Sequence, residues 1–366
     1  MDVEILENWN AVSALESEWN PLLEASRANT IFLTWEWISS WMASDGRRRS
    51  PFVVCIRSAS RELVGVAPFY LSTLRLGRTI PYRTLRILAD TATGAEYADW
   101  IVRPDVEQEV TRAIAGALAG ARSCWDCLWM PNVAGWTGAT ERVMEQCQHR
   151  ALLSRSRPCE FGALALPDTM DAYVRSLSSN KRQQLRGEMR RISGRQGVRV
   201  HRCETVDQIP RFLDALFDLH YRRWKTRGEK GSFLRRPQLV EFYKQFVPLA
   251  LAKDWLWLFA LEDEGEVKAV QLGYVYNDVF HQIQEGFDPE YVKGVGNVLR
   301  AHVIEACIEA GVRTFDFLGE MSEHKRRWRA QERTGSDLFI GLQKLKNRLL
   351  FSAGIWPTGR LLRPAL

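Results

Sequence analysis

The sequence predicts an α/β (α+β) fold with two tandem domains, each a mixed, mainly antiparallel sheet flanked by helices. The chain has 366 residues, a length typical of two domains. Hydrophobic residues make up 46% and charged residues 26%, which indicates well-buried cores and excludes a disordered chain. The order of elements also repeats, because each half begins with helices and continues with paired strands, a helix and a further strand. We place the domains at 1–160 and 161–366.

The first half begins with helical segments and continues with strands. Ala11 to Ala25 is predicted to be mainly helical with a break at Pro21, and Thr34 can cap the next helix. Two apolar runs on either side of a polar turn at 58–61 predict a hairpin. The strands of this half are predicted at 52–56, 63–71, 84–88, 100–102 and 127–130, with a helix at 106–121.

The second half repeats this order. Residues 170–195 are predicted to be mainly helical, and the apolar face of 209–225 predicts a long amphipathic helix. The continuous apolar run 256–261 is typical of a strand buried on both faces. A helix capped by Asn297 and ended by Gly311 is expected next to the last strands. The other elements are strands at 198–202, 267–276, 279–285, 314–318 and 338–340, and a helix at 237–251.

Composition and charge exclude several classes of protein. Lys and Arg number 50 against 44 Asp and Glu, and the resulting +6 is too weak to indicate a nucleic-acid partner by itself. The N-terminus lacks the features of a secretory signal, and no apolar run approaches the ~20 residues of a membrane span. Seven scattered cysteines indicate free thiols in a reducing compartment. We therefore expect a cytoplasmic protein with no transmembrane segment and no metal site.

Several short motifs follow one another along the chain. They are Phe32–Trp37, Leu63–Phe69, Tyr97–Asp99, Gly286–Tyr291 with Gly294 and Gly296, and Phe315–Glu320 with His324, Lys325 and Trp328. Together they resemble the CelD/BcsL-like acetyltransferases of the GNAT superfamily, over most of the chain. The resemblance implies two GNAT-like domains, as in the FemAB-like transferases. It also implies acyl-CoA, such as acetyl-CoA, as a co-substrate and no permanently bound cofactor.

A glycine-containing segment leads from Tyr291 into the helix predicted at Asn297. Glycines let a backbone approach a ligand closely, and the N–H groups at a helix start attract phosphate. In GNAT proteins this loop holds the pyrophosphate of coenzyme A. The resemblance therefore implies a donor site at Lys293, Gly294, Val295, Gly296 and Asn297. Tyr291 departs from the family's usual Gln or Arg, and Lys293 and Arg300 are candidates to replace that charge. An ordinary loop before a helix is the alternative.

The strand predicted at 279–285 carries polar groups on both faces, which predicts a neighbouring wet cleft. Strict alternation places His281, Ile283 and Glu285 on one side and Phe280, Gln282 and Gln284 on the other. In a GNAT sheet this strand separates from the next one, and the acyl arm lies between them. Amine attack on a thioester needs a proton removed, so Glu285 and His281 are candidate bases. A carboxylate that binds backbone amides or an arginine is the alternative for Glu285.

Other side chains are candidates to bind the acceptor or the transition state. Lys325 is a candidate to stabilise an oxyanion, and a solvated basic turn is its alternative. The candidates for acceptor binding are His220, Trp224, Asp316 and Glu320 in the second domain and Asp99 in the first. A core or cleft-wall position is the alternative for His220, and a structural cap for Asp99. The first domain has no comparable glycine loop, so we expect it to serve the acceptor side without binding nucleotide.

Two basic regions have several interpretations. Residues 181–195 carry six positive side chains and one negative side chain, and a solvated helix face is expected there. The alternatives are contact with a coenzyme phosphate, an anionic substrate or tRNA. The tail after Asp337 combines cations with Phe351, Ile355 and Trp356. We expect it to pack on the sheet, and peripheral contact with an anionic membrane is the alternative.

The resemblance implies an N-acyltransferase that transfers an acyl group from acyl-CoA to an amine of a small-molecule, sugar or amino-acid-like acceptor. One alternative is a FemAB-like transferase that uses aminoacyl-tRNA as donor. Another is a non-catalytic GNAT-fold protein in polysaccharide biosynthesis or export. The sequence leaves the acyl chain, the acceptor and the oligomeric state open.

Overall fold

The computed structural model describes residues 1–76, 80–90, 93–150, 152–353 and 362–364. The chain divides into two compact units, Met1–Cys159 with Thr334–Leu366, and Glu160–Arg333. The C-terminal segment thus groups with the first unit, whereas the sequence analysis placed it in the second domain. The cause is strand pairing, because the segment begins with a strand that hydrogen-bonds to Cys127–Val133 of the first unit.

The first unit contains helices α1 to α5 and strands β1 to β7, the last of which runs on into the second unit. In chain order these elements are β1 (Asp2–Leu6), α1 (Trp9–Ser13), α2 (Glu16–Ala25), α3 (Trp35–Ser44), β2 (Ser50–Arg57), β3 (Leu63–Leu76), β4 (Ile80–Ile87), β5 (Ile101–Val102), α4 (Glu107–Gly120), β6 (Cys127–Val133), α5 (Ala139–His149) and β7 (Leu153–Ala165).

The helical start of the first unit follows the sequence in part. Thr34 caps α3 as expected, since its Oγ1 accepts from the Trp37 N–H at 3.3 Å. The break predicted at Pro21 is wrong, because Pro21 lies inside α2 and the chain instead breaks between α1 and α2. Helix α5 and strand β7 were not predicted.

The second unit contains the remaining helices up to α12 and the strands β8 to β12. They are α6 (Met170–Ser176), α7 (Ser179–Ser193), β8 (Val198–Arg202), α8 (Ile209–Lys225), α9 (Ser232–Arg235), α10 (Gln238–Ala252), β9 (Leu256–Asp263), β10 (Glu266–Tyr276), β11 (Val279–Phe287), α11 (Val295–Glu309), β12 (Thr314–Gly319) and α12 (Glu323–Arg327). The chain then returns to the first unit through β13 (Gln331–Gly341), α13 (Leu345–Ser352) and β14 (Leu362–Pro364).

Each unit has a mixed, mainly antiparallel sheet flanked by helices, as the sequence predicts. In the first unit the strand order is β1-β2-β3-β4-β6-β13, with β4 and β6 parallel. In the second unit it is β7-β12-β11-β10-β9-β8, with β11 and β12 parallel. Helices α7 and α11 pack on one face of this second sheet, and α8 and α10 pack on the other.

Strands β11 and β12 part soon after they begin. Their pairing runs from Val279 with Thr314 to His281 with Asp316 and is not recorded beyond that point in the described chain. Both strands continue, β11 to Phe287 and β12 to Gly319. The second sheet therefore opens between two neighbouring strands, with the last residues of β11 on one side.

A β-bulge reverses the side-chain pattern within β11. Gln282 pairs with Gly273 of β10 and Gln284 with Leu272, so Ile283 is an extra residue on its strand. The expected placement of His281 and Glu285 on one side is wrong, because one extra residue moves every later side chain to the opposite face. Glu285 shares a face with Gln282, and its Oε2 accepts from the Gln282 Nε2 at 3.1 Å.

The basic tail packs on the sheet of the first unit as far as it is described. Leu350 and Phe351 of α13 contact Leu74, Tyr82 and Phe339. Ile355, Trp356 and Arg360 lie outside the described residues. Within the part of the chain that the structure describes, none of the helices has the length and apolarity needed to cross a bilayer.

Asp126 ties this tail to β6. Its carboxylate binds Lys344 Nζ at 2.6 Å and Lys346 Nζ at 2.7 Å, and it accepts from the Arg83 N–H at 2.9 Å. Burial would raise the pKa of Asp126, but the two ammonium groups and the Arg83 N–H outweigh it and lower the pKa to about 2. The carboxylate is therefore a charged anchor for the start of α13.

We predict that Asp126→Asn lowers the free energy of unfolding by about 2 kcal/mol at pH 7, because charge-assisted hydrogen bonds are lost. A folded-state pKa below the unfolded value means that the carboxylate stabilises the fold above about pH 4. The gap between wild type and variant should then narrow as the pH falls toward 2. Chemical denaturation at several pH values measures this gap.

The matched control is Asp171→Asn, because the Asp171 side chain is 91% exposed and lies 3.9 Å from Arg175. It should change stability by less than about 0.5 kcal/mol. An equal effect of both variants, or a gap that does not depend on pH, would contradict the anchoring role.

Candidate functional site

One candidate site is a groove of about 650 Å³ in the second unit, at the start of α11. We call this cavity the groove. Its wall includes the end of α8, the end of β11 and the loop that leads into α11. The residues that line it are Arg223, Arg227, Glu285, Phe287, Asp288, Pro289, Tyr291, Val292, Lys293, Gly294, Val295, Gly296, Asn297, Arg300 and His324. All five residues predicted to hold the donor, Lys293 to Asn297, are among them.

The start of α11 presents free backbone donors to the groove. Gly294 is the N-cap with a φ of 100°, and the Val295 N–H bonds to the Val292 carbonyl at 3.3 Å. Among the described residues, the N–H groups of Gly296 and Asn297 have no recorded acceptor. Unpaired N–H groups at the positive end of a helix attract anions, and α11 has 15 residues. The predicted cap at Asn297 is wrong, because the helix begins two residues earlier.

Glu188 of α7 forms the floor beneath this helix start. Its Oε2 accepts from Asn297 Nδ2 at 3.0 Å and its Oε1 from Gln184 Nε2 at 2.9 Å. A Cβ added to Gly294 would lie 2.6 Å from Glu188 Oε1, so both the contact and the positive φ require glycine. Sequence reasoning missed this contact, because Glu188 stands alone within a basic segment.

Tyr291, which departs from the family pattern, uses its hydroxyl for an internal bond. The hydroxyl donates to Asp263 Oδ2 at 2.7 Å, and Arg195 binds the same carboxylate at 2.8 Å. Burial and the Asp263 carboxylate raise the pKa of Tyr291 to about 12. The positive charge of the groove comes from other side chains, namely Arg223, Arg227, Lys293 and Arg300.

A second cavity, of about 250 Å³, lies where β11 and β12 part. We call this cavity the wedge. It shares Arg223, Glu285, Arg300 and His324 with the groove, so the two cavities meet at these four residues. The other residues that line it are His220, Trp224, Gln282, Ile283, Gln284, Phe317 and Lys325.

Glu285 lies between two guanidinium groups at this junction. Arg223 Nη1 donates to its Oε1 at 2.9 Å, and Arg300 Nη2 donates to its Oε2. Burial would raise the pKa of Glu285, but Arg300 and Arg223 outweigh it and lower the pKa to about 2. Such a carboxylate is a weak base, so this arrangement favours a role in positioning the two arginines.

Two neutral imidazoles also line the wedge. Burial, and then the nearby Arg223, lowers the pKa of His220 to about 4, and its Nε2 lies 3.2 Å from Ser232 Oγ. Burial and Arg300 lower the pKa of His324 to about 4 in the same way. Arg300 Nη1 lies 2.9 Å from His324 Nε2, which accepts because the ring is neutral near pH 7. His220 and Trp224 both line the wedge, and their role in acceptor binding stays a prediction.

Lys325 lines the wedge with its ammonium held in place. Its Nζ donates to the Leu318 carbonyl at 3.0 Å and to the Gly319 carbonyl. Leu318 itself has a φ of 61°, a left-handed conformation at the end of β12. The lysine therefore stabilises an irregular strand end and places a positive charge beside the wedge.

Other predicted residues lie away from both cavities. His281 and Asp316 are buried, 3.5 Å apart, and Asp316 Oδ1 accepts from the Leu318 N–H at 2.8 Å. Neither residue lines the groove or the wedge. Glu320 is exposed just after β12 and also lies outside both linings.

Asp99 is fully buried within the first unit. Its carboxylate accepts from the Trp100 N–H at 2.8 Å and from the Thr137 hydroxyl. Burial raises the pKa of Asp99 to about 7. These contacts favour the structural alternative over substrate binding. In the residues that the structure describes, no cluster of three or more His, Cys, Asp or Glu side chains could hold a metal ion.

Residues 179–326 match the family model described as an acetyltransferase (GNAT) domain. The matched residues lie within the second unit. No curated protein matched the chain.

Three solved structures share the fold. FemX has a TM-score of 0.65 at 10% identity, over 96% of this chain and 99% of its own. The C-terminal domain of a putative lysylphosphatidylglycerol synthetase from Agrobacterium fabrum has a TM-score of 0.54 at 11% identity, over 93% and 95%. L-PGS from Bacillus licheniformis has a TM-score of 0.53 at 12% identity, over 93% and 96%.

We predict that Gly294→Ala costs about 3 kcal/mol of unfolding free energy, because it combines a positive φ with overlap against Glu188. Gly311→Ala is the matched control at the other end of α11, with a φ of 74° and no atom within 4 Å of the added Cβ. It should cost about 1 kcal/mol. Chemical denaturation compares the two variants, and equal costs would show that the Glu188 contact does not constrain Gly294.

Proposed function

We propose that the protein is an N-acyltransferase that moves an acyl group from acyl-CoA to an amine of a small-molecule, sugar or amino-acid-like acceptor. The observation that carries this proposal is the groove at the start of α11. It has unpaired N–H groups at the helix start, and it meets the wedge at four shared residues. A coenzyme A thioester has this same layout, with phosphates at one end and a reactive carbonyl at the other. The GNAT domain match to residues 179–326 supports the same activity.

In this proposal the N–H groups of Gly296 and Asn297 hold the pyrophosphate, with Lys293 as a further cation. The pantetheine arm follows β11 into the wedge. The N–H groups and carbonyls of β11 beyond His281 are available to the arm on the side that β12 has left.

The chemical step needs a neutral amine near the thioester carbonyl. The nitrogen bonds to the carbonyl carbon, the carbon–sulfur bond breaks, and coenzyme A leaves as its thiolate. A base takes up the proton that the amine loses, and this proton can then pass to the thiolate. We assign the base to His220, because it lines the wedge and its pKa of about 4 leaves the ring neutral near pH 7 and makes it a stronger base than Glu285. Lys325 is the cation that we assign to stabilise the oxyanion. Glu285 holds Arg223 and Arg300 in place.

We predict that Lys293→Glu weakens acetyl-CoA binding about tenfold or more, because a charge reversal at the groove repels the phosphates. Lys293 is exposed, so the fold should be unaffected. Lys230→Glu is the matched control, since Lys230 is also exposed and lies outside the groove lining. Isothermal calorimetry with acetyl-CoA measures both.

A wild-type protein that binds neither acetyl-CoA nor longer acyl-CoA would defeat the proposal. If both variants weakened acetyl-CoA binding equally, the groove would not be the site where acetyl-CoA binds. Gly294→Trp provides a bulkier test of the same place, provided that its circular dichroism matches wild type.

A second candidate is a transferase that takes its donor from aminoacyl-tRNA. Arg182, Arg186 and Arg190 lie four residues apart on α7, and the last two are exposed. This spacing forms a basic row along one helix face, suited to a phosphate backbone. The structural similarity to FemX fits this candidate as well as the first.

We predict, for this second candidate, that replacing these three arginines by glutamine weakens tRNA binding and lowers its salt dependence. Each lost phosphate contact should reduce the slope of log K against log salt by about 0.7–0.9. A fluorescence titration with total tRNA at several salt concentrations measures the slope. The control replaces three other exposed arginines, Arg199, Arg235 and Arg313. Equal slopes for the two triple variants would exclude a specific role for the row.

A further inference from the structure

The charges that line the wedge are unbalanced. Arg223, Arg300 and Lys325 are cationic there, and Glu285 is the one carboxylate in the described lining. His220 and His324 add no charge near pH 7. Three positive groups against one negative group leave a net charge of +2 around a cavity of about 250 Å³.

The two guanidinium groups share a single carboxylate. The side chains are only slightly exposed, at 17% for Arg223, 4% for Arg300 and 22% for Glu285. Within the described chain no other acidic side chain pairs with either arginine. A buried cation without its own counter-ion is costly, and a bound anion removes that cost.

Arg223 is the better placed of the two arginines for a ligand. Both guanidinium groups stack on a ring, Arg223 at 4.5 Å from the centre of Phe287 and Arg300 at 5.0 Å from the centre of Trp328. Arg300 in addition donates to both His324 and Glu285. Arg223 has one recorded acceptor, Glu285 Oε1, and lines both the groove and the wedge. A guanidinium offers five donors in a planar fork. The Arg223 Nε is buried and one Nη1 donor is used by Glu285, which leaves the other terminal donors for a ligand.

The size of the wedge limits what this anion can be. A volume of about 250 Å³ suits a short acyl chain or a small amino acid and excludes a nucleotide, for which the groove has the room. A planar carboxylate matches the guanidinium fork in two parallel hydrogen bonds.

We infer that the wedge binds the carboxylate of a small substrate through Arg223, with Glu285 holding that guanidinium in place. The inference rests on the proposed function for the reaction, and it specifies in addition that one of the two substrates carries a negative charge. The carboxylate has two possible sources, a dicarboxylic acyl group on the donor or an anionic acceptor amine. The structure shows the shared chemistry, and the experiment separates the sources.

The first arm tests the donor. Succinyl-CoA and butyryl-CoA have acyl chains of equal carbon number and differ in a terminal carboxylate. Calorimetry measures both affinities for the wild type. If the donor carries the anion, succinyl-CoA should bind about tenfold more tightly.

The second arm tests the acceptor without any coenzyme A. β-Alanine and β-alaninamide differ in the carboxylate and share the amine. Ligand-observed NMR on the wild-type protein measures both dissociation constants. If the acceptor carries the anion, β-alanine should bind about tenfold more tightly.

Two variants locate the effect. Arg223→Gln should abolish whichever preference is found, while Arg223→Lys should retain part of it because the charge remains. Arg227→Gln is the matched control, because Arg227 lines the groove and is absent from the wedge lining. It should weaken both acyl-CoA esters equally and preserve their ratio. Thermal unfolding checks that each variant is folded.

The outcomes separate this inference from the proposed function. Acyl-CoA binding with no carboxylate preference in either arm, or a preference that survives Arg223→Gln, overturns the inference and leaves the acyltransferase proposal standing. A carboxylate preference that depends on Arg223 in the second arm, with no binding of any acyl-CoA, supports the anion site and overturns the acyl-CoA proposal.

Discussion

The parting of β11 from β12 after His281 is the constraint on which the candidate site depends. Two parallel strands that stayed paired would use their backbone groups on each other and leave no space between them. Because the pairing ends early, the last residues of β11 face a cavity instead of a strand. The same strand end leads directly into the loop before α11. The strand opening and the helix start therefore lie next to each other, which is why the wedge and the groove meet.

The charged residues at this junction form one connected set. Glu285 neutralises part of the charge of Arg223 and Arg300, and Arg300 in turn donates to His324. Removing Glu285 would leave two largely buried guanidinium groups without a carboxylate, which is more costly than the ion pairs are stabilising. Burial, and then the nearby arginines, lower the pKa of both imidazoles and keep them neutral near pH 7, while the wedge stays positive. This combination suits a site where a base must accept a proton beside an anionic substrate group.

The helix start depends on a contact between distant parts of the sequence. Glu188 lies more than a hundred residues before Gly294, and its carboxylate occupies the space that a side chain would need. The carboxylate also places a negative charge near the positive end of α11, which stabilises the helix when no ligand is present. A bound phosphate must therefore share this helix end with Glu188, and Lys293 and Arg300 supply positive charge nearby.

Local sequence patterns were enough to predict the class of fold, the order of most elements and the glycine-containing loop that lines the groove. Helix 209–225 and strand 198–202 have the predicted bounds, because their apolar patterns are long or cleanly bounded. The glycine-containing loop before α11 was also predictable, because its signal lies in neighbouring residues. The facing and charge of Glu285 and the placement of the C-terminal strand depend on tertiary contacts. The bulge at Ile283 places Glu285 on the other face of the strand. Arginines from distant parts of the chain outweigh the effect of burial and lower the pKa of Glu285 to about 2. The C-terminal strand joined the first unit through pairing with β6. Local patterns cannot predict strand register, buried ion pairs or long-range strand pairing, because these arise between segments that are far apart in the chain.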